Sequence, residues 1–184
     1  AKESNRFDII DTIKGINGKL IKRHPHVFDN KKKESSLQAK KDWEAQKHTE
    51  KNRASRLDGV PKKLPALVRA QRLQEKASCA GFDWDRIDGA WGKLDEELDE
   101  LKQAQKLGEI ENIKEEIGDV LFSVVNLSRF FNVPAEDMLR QANRKFIKRF
   151  KRIEKILKEK GKKLEDSNLE EMGKIWQQAK KKTY

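Results

Sequence analysis

Residues 87–101 read Ile87-Asp88-Gly89-Ala90-Trp91-Gly92-Lys93-Leu94-Asp95-Glu96-Glu97-Leu98-Asp99-Glu100-Leu101. The large apolar side chains, Ile87, Trp91, Leu94, Leu98 and Leu101, recur at spacings of 4, 3, 4 and 3. That rhythm lays them along one seam of an α-helix, which must then pack lengthwise on a neighbour. Asp95, Glu96 and Asp99 fall on the solvated side. Downstream, a helix is expected from about Glu109 to Phe131. After Glu116 it turns apolar all round, through Ile117, Val120, Leu121, Phe122, Val124, Val125 and Leu127. That composition predicts the most buried helix of the chain.

Farther out, the punctuation is helical throughout. Pro134 opens a helix running to about Lys160, with Gly161 as its C-terminal cap. Ser167-x-x-Glu170 reads as a capping box for a last helix carrying Leu169, Met172, Trp176 and Ala179. Upstream, Leu64 to Ala80 is a helix with Pro65 near its first turn and Gly81 at its end. Ser35 to Arg56 is a very polar helical stretch with Leu37 and Trp43 as sparse anchors. Phe7 to Arg23 carries Ile9, Ile13, Ile16 and Leu20 on one stripe and ends at His24-Pro25-His26. The four prolines all sit at such boundaries, and Asp58-Gly59 marks a turn rather than a hairpin between alternating strands. The chain therefore reads as all-α. Its expected division is a helical linker segment and polar helix at 1–62 and a second helical unit at 63–184.

Composition agrees with long amphipathic helices that need a partner chain. Of the 184 residues, 35% are hydrophobic and 40% charged, against norms of about 45–50% and 25%. No apolar run approaches 18 residues, which argues against a membrane span. Ala1-Lys2-Glu3-Ser4-Asn5-Arg6 has no apolar signal core, and the single cysteine, Cys79, fits a reducing cytoplasm. The net charge of +11 is unevenly spread. Asp83 to Asp119 holds 13 acidic and five basic residues, whereas Arg140 to Tyr184 holds 16 basic and six acidic. Either a nucleic-acid-binding tail or a metal-holding carboxylate cluster facing phosphate-binding cations produces that asymmetry.

Glu116 and Asp119 lie three apart on one helix face, with Asp119 inside the apolar segment Ile117-Gly118-Asp119-Val120-Leu121. An unpaired carboxylate there costs several kcal/mol or more, so something must compensate it. On the preceding helix, Glu97 and Glu100 flank the seam. Packed antiparallel, the two helices bring four carboxylates together, a set suited to Mg²⁺ or Mn²⁺. The competing readings are a buried arginine against Asp119 and a pairing of Glu97 with Lys93 one turn earlier.

A second constellation is Lys145-Phe146-x-x-Arg149-Phe150. Phe146 is expected on a core stripe with Leu139, Ala142, Ile153 and Leu157. Lys145 and Arg149 then share an adjacent face, spaced to grip successive phosphates or simply forming part of a basic surface. Trp176 and Lys180 are again four apart. Periodicity alone favours Trp176 as core over Trp176 as a ligand platform.

These residues, with Lys19 through Phe28, Leu64-Pro65-Ala66-Leu67 and Gly81-Phe82-Asp83-Trp84, occur in order along nearly the whole chain. The chain thereby resembles the MazG family of nucleoside triphosphate pyrophosphohydrolases, in the all-α superfamily that includes dimeric dUTPases. It looks like the C-terminal half of a two-domain member, because it holds only one EExxE…ExxD set. The resemblance implies Glu97, Glu100, Glu116 and Asp119 as metal ligands. It implies Lys145 and Arg149 as triphosphate contacts, helped by Lys93 and Lys114. Trp176 becomes a stacking surface for base or ribose and Lys180 a polar contact nearby. It also implies a homodimer in a four-helix arrangement. His24 and His26 match the family's HPH stretch and are read as structural.

The expected reaction is α–β phosphoanhydride hydrolysis to a nucleoside monophosphate and pyrophosphate, with broad use of NTPs and dNTPs. Water acidified by the ion attacks the α-phosphorus, oriented by Glu96 or Glu97. No glycine-rich phosphate loop occurs, so cations and Mg²⁺ must hold the phosphates. The rival is a basic helical nucleic-acid-binding or adaptor protein without catalysis; it leaves Asp119 unexplained, so nucleic acid is not expected as a partner.

Overall fold

The computed structural model describes residues 7–23, 42–44 and 54–181. These are helical wherever regular, with no strand among them: α1 (Ile9–Arg23), α2 (Ala66–Cys79), α3 (Ile87–Leu107), α4 (Ile110–Phe130), α5 (Ala135–Glu159) and α6 (Leu169–Lys181), plus a 3₁₀ turn at Leu164–Asp166. The expected all-α class holds. His24, His26 and Leu37 lie outside the described residues; of the stretch expected to be helical over 35–56, residues 42–44 are helical, whereas 54–56 form a bend and turn instead of a helix end.

α3 and α4 form the central hairpin, and the two-residue link between them makes them antiparallel. Gly108 adopts φ +71°, where a Cβ is strained, and Glu109 N–H donates back to the Ala104 carbonyl at 3.2 Å. Ala90 and Ala104 are buried small residues on α3, which let the helices approach closely. α2 lies across α4, held by Gln74 Nε2 donating to the Phe122 carbonyl oxygen at 2.8 Å. α2 ends as expected at Gly81 (φ +95°), with Phe82 N–H reaching the Ala77 carbonyl at 3.0 Å. Lys76 is buried, and its ammonium donates to Glu44 at 2.9 Å and to the Arg56 carbonyl at 3.3 Å. That ion pair ties the polar upstream stretch to α2.

α5 packs chiefly through its C-terminal half. Ile153 and Leu157 bury against Ile175 of α6, with Phe150, Met172 and Trp176 around them. Gly161 (φ +69°) caps α5 as expected, and Lys162 N–H donates to the Leu157 carbonyl at 2.9 Å. The capping box at α6 is displaced by one residue. Asn168 Oδ1 accepts from Glu171 N–H at 2.9 Å, whereas Ser167 donates to the Glu171 carboxylate and Glu170 pairs with Lys174.

Three packing expectations fail for one physical reason. α4 is not buried all round: Ile117, Leu121, Phe122 and Val124 remain 43–53% exposed. On α5, Phe146 (56%) and Leu139 (51%) are exposed rather than core, and Trp91 on the α3 seam is 45% exposed. Among the described residues, the hairpin, α2 and α6 each cover one side of these helices and leave the other exposed. The α1 stripe is uncovered too, from Ile9 at 72% to Leu20 at 48%. α1 and the first fifteen residues of α5 also align without a gap. Asp11, Asn17, Lys19, Ile21, Lys22 and Arg23 match Asp137, Asn143, Lys145, Ile147, Lys148 and Arg149. The same kind of apolar stripe is thus left open twice.

Candidate active site

α3 delivers Glu97 and α4 delivers Glu116 and Asp119 to one place. One carboxylate oxygen from each lies within 4.8 Å of the other two. The antiparallel hairpin achieves this because Glu97 sits on the flank of α3 that faces α4. The burial order differs from the sequence expectation: Glu97 is only 5% exposed, Glu116 is half-buried and Asp119 is exposed. Asp119 follows the uncovered side of α4, so the carboxylate demanding compensation is Glu97. Lys93 answers part of that demand at 2.7 Å, while also pairing with Glu96 at 2.8 Å. Hydrogen bonds donated to Glu96 and then to Glu97 hold the Lys93 ammonium well above its ordinary pKa. The local pairing of Glu97 with Lys93 and the convergence with α4 are therefore both real.

Glu116 remains the electrostatically strained member. Its Oε2 is buried with no hydrogen-bond partner among the described residues. Burial pushes its carboxyl pKa up, and the charges of Glu100, Glu97, Asp119 and Glu115 push in the same direction. Glu100 is exposed and stands outside the mutually close trio, yet its charge reaches Glu116. An all-oxygen set with an orphaned acceptor and mutual repulsion fits a hard divalent cation.

The second group forms where α5 meets α6. The Arg149 guanidinium lies 5.6 Å from the Trp176 ring centre, and the Phe146 ring lies 5.3 Å from Trp176 at a tilt of 57°. Arg149 Nε is buried without a hydrogen-bond partner among the described residues. Trp176 packs on the core cluster, as periodicity favours, with the Arg149 guanidinium beside its ring. Lys145 and Lys180 are exposed, and Lys114 pairs with Glu111 at 2.6 Å. Among the described residues no hydrogen bond or ion pair joins this group to the carboxylates.

Sequence reasoning missed one polar pair. Asp83, in the turn after α2, accepts from Arg129 at 2.9 Å, Ser78 at 2.6 Å and the Trp84 N–H at 3.0 Å. Burial raises its pKa, but the hydrogen bonds from Arg129 and Ser78 outweigh that and hold it low. The available signal was Arg129 itself, a cation in the last turn of an apolar helix.

The family model for the MazG nucleotide pyrophosphohydrolase domain matches residues 91–154. That span includes Glu96, Glu97, Glu100, Glu116 and Asp119 together with Lys145 and Arg149. The chain is 45% identical over 182 residues to the nucleoside triphosphate pyrophosphohydrolase/pyrophosphatase MazG of Thermotoga maritima, covering 98% of this chain and 69% of that protein. It is 38% identical over 186 residues to the nucleoside triphosphate pyrophosphohydrolase of Escherichia coli K12, covering 98% of this chain and 71% of that protein. It is 42% identical over 182 residues to the Bacillus subtilis protein YabN, of which it covers 37%.

Proposed function

The chain belongs to the MazG family and is a nucleoside triphosphate pyrophosphohydrolase, and on that premise we propose how its residues divide the work. The reaction is hydrolysis of the α–β phosphoanhydride of NTPs and dNTPs to the monophosphate and pyrophosphate. The observation that carries this reading is the convergence of Glu97, Glu116 and Asp119 from two helices. A purely basic nucleic-acid-binding protein has no use for that arrangement.

Glu97, Glu116 and Asp119, with Glu100 beside them, would hold a divalent cation. Bound there, Mg²⁺ or Mn²⁺ would supply a Lewis acid that offsets phosphate charge and acidifies water. Glu96, exposed beside buried Glu97, orients the attacking water and accepts its proton as the α–β bond breaks. Lys145 and Arg149 grip the outer phosphates, aided by Lys93 and Lys114. Trp176 stacks on base or ribose, and Lys180 supplies a polar contact. An unselective ring accounts for use of all bases.

The uncovered side of α4 supports a homodimer in which the two hairpins form a four-helix arrangement. Ile117, Leu121 and Val124 would bury against their counterparts in a second copy. Catalysis belongs to residues 63–184, and the cytoplasm is the proposed compartment. Among the described residues no helix is long and apolar enough to cross a membrane. The direct test is a nucleotide panel with Mg²⁺ that resolves monophosphate plus pyrophosphate from diphosphate plus phosphate. Release of diphosphate, or no turnover with any nucleotide, overturns the reading.

A further inference from the structure

Between α2, the 81–84 turn and α4 lies a cavity of about 440 Å³ that the catalytic groups above do not use. Its volume falls within the range of small-molecule sites, roughly 300–1,000 Å³. Leu73 and Ala77 form an apolar floor, and Phe82, Trp84 and Phe122 supply aromatic walls. Those rings are 84%, 48% and 43% exposed, a large apolar surface left to water in a chain short of apolar residues. The Trp84 ring is fixed by a close approach to α3, since a Cβ on Gly89 would come within 2.8 Å of it.

The polar groups are few and unequal. Arg129 is spent on Asp83, so among the described residues the cavity carries no free cation for a phosphate. Asn126 accepts from Arg129 through Oδ1 at 2.8 Å, which leaves its amide N–H₂ as a donor. Gln74, 8% exposed, donates to the Phe122 carbonyl, and its Oε1 is buried with no hydrogen-bond partner among the described residues. Gln74 lines the cavity, and a turn about its soft terminal torsion, at the cost of the Phe122 bond, would offer that acceptor to a ligand. One acceptor and one donor beside aromatic walls suit a neutral, planar ring whose edge carries both. Seven residues separate Asn126 from Asp119, so they lie on nearly the same side of α4, about 10 Å apart along its axis.

We propose that this cavity is a nucleobase site. The base enters flat between the aromatic walls and pairs its edge with Gln74 and Asn126, and its sugar points along α4 toward the carboxylates. Two sources share this chemistry: the base of the substrate itself, which rests on the pyrophosphohydrolase reading and leaves Trp176 to the ribose, or a separate nucleoside or nucleotide, with the substrate's base on Trp176.

The test is calorimetric titration of adenosine, cytidine, guanosine and uridine into the full chain in excess chelator. Neither metal nor phosphate takes part, so this result stands or falls apart from hydrolysis. At least one nucleoside should saturate. Gln74→Met keeps the volume and removes the orphaned acceptor, and the Phe122 carbonyl keeps its helical bond. Melting should therefore hold or rise while nucleoside affinity drops on the order of tenfold. Ala77→Leu fills the floor and should abolish binding. If nucleosides compete with ATP hydrolysis in wild type and markedly less in Gln74→Met, the site takes the substrate's base; if they alter kcat without competing, it takes a separate ligand. No saturable binding, or equal affinity in wild type and both well-folded variants, overturns the proposal. So does a change of oligomeric mass in Ala77→Leu without nucleoside binding, which would assign the cavity to a second chain.

Discussion

Replacing Asp83 by asparagine keeps the side chain's shape and removes one charge from the turn between α2 and α3. The carboxylate accepts from both terminal nitrogens of Arg129, from Ser78 and from the Trp84 N–H. Side-chain exposure is 25% for Asp83 and 15% for Arg129, so the pair is largely but not fully shielded. Exposed pairs are worth about 0–1 kcal/mol, and breaking a fully buried one costs about 3–5 kcal/mol. Asparagine keeps one acceptor but turns an N–H₂ toward the guanidinium. After allowing for solvent screening, the expected loss is about 2 kcal/mol. In a chain of this size that lowers Tm by roughly 4–8 °C. The loss must also depend on pH. A carboxyl whose pKa is held low in the folded state contributes stability above its unfolded pKa, near 4, and loses it as pH falls through the folded value. Urea unfolding followed by circular dichroism should therefore show the full gap between wild type and Asp83→Asn at pH 7. The gap should narrow steadily below about pH 4. A gap under about 0.5 kcal/mol at pH 7, or one unchanged at pH 3, would refute this account of the turn.

Asp119→Asn should lower turnover at least a hundredfold and abolish the Tm rise that millimolar Mg²⁺ gives wild type; retained turnover with normal Mg²⁺ dependence would return the trio to a structural role. Arg149→Ala should raise KM for every triphosphate while sparing the Mg²⁺-induced Tm shift, and Trp176→Ala should do the same across bases; steady-state kinetics with thermal melts check both. Glu116→Gln should melt above wild type in metal-free buffer at pH 7, because a carboxyl raised in the folded state is destabilising once ionised. That advantage should vanish below about pH 4, where the carboxyl is protonated in both states, as melts across that range will test. Leu121→Asp should leave a particle near the chain mass of 21.5 kDa in light scattering at micromolar concentration, if α4 pairs with its counterpart.

Periodicity and punctuation alone determined which segments are helical. The 4-3-4-3 seam of α3, the prolines at helix boundaries, and Gly81 and Gly161 report local backbone preferences, which act over a few residues whatever lies across the fold. The pairing of EExxE with ExxD was legible for the same reason: two helices joined by a short link must lie side by side. Which carboxylate is buried was not legible, because burial depends on what covers a helix. Asp119 sits among apolar neighbours in sequence yet faces water, and Glu97 sits in an acidic run yet is enclosed by α4. The displaced cap at Asn168 shows the same limit at short range, where a one-residue difference in chain entry decides which side chain reaches the N–H. Asp83 with Arg129, Glu44 with Lys76, and Gln74 against Phe122 join residues tens of positions apart. No spacing rule links such partners; only the crossing of α2 over the hairpin brings them within hydrogen-bond reach.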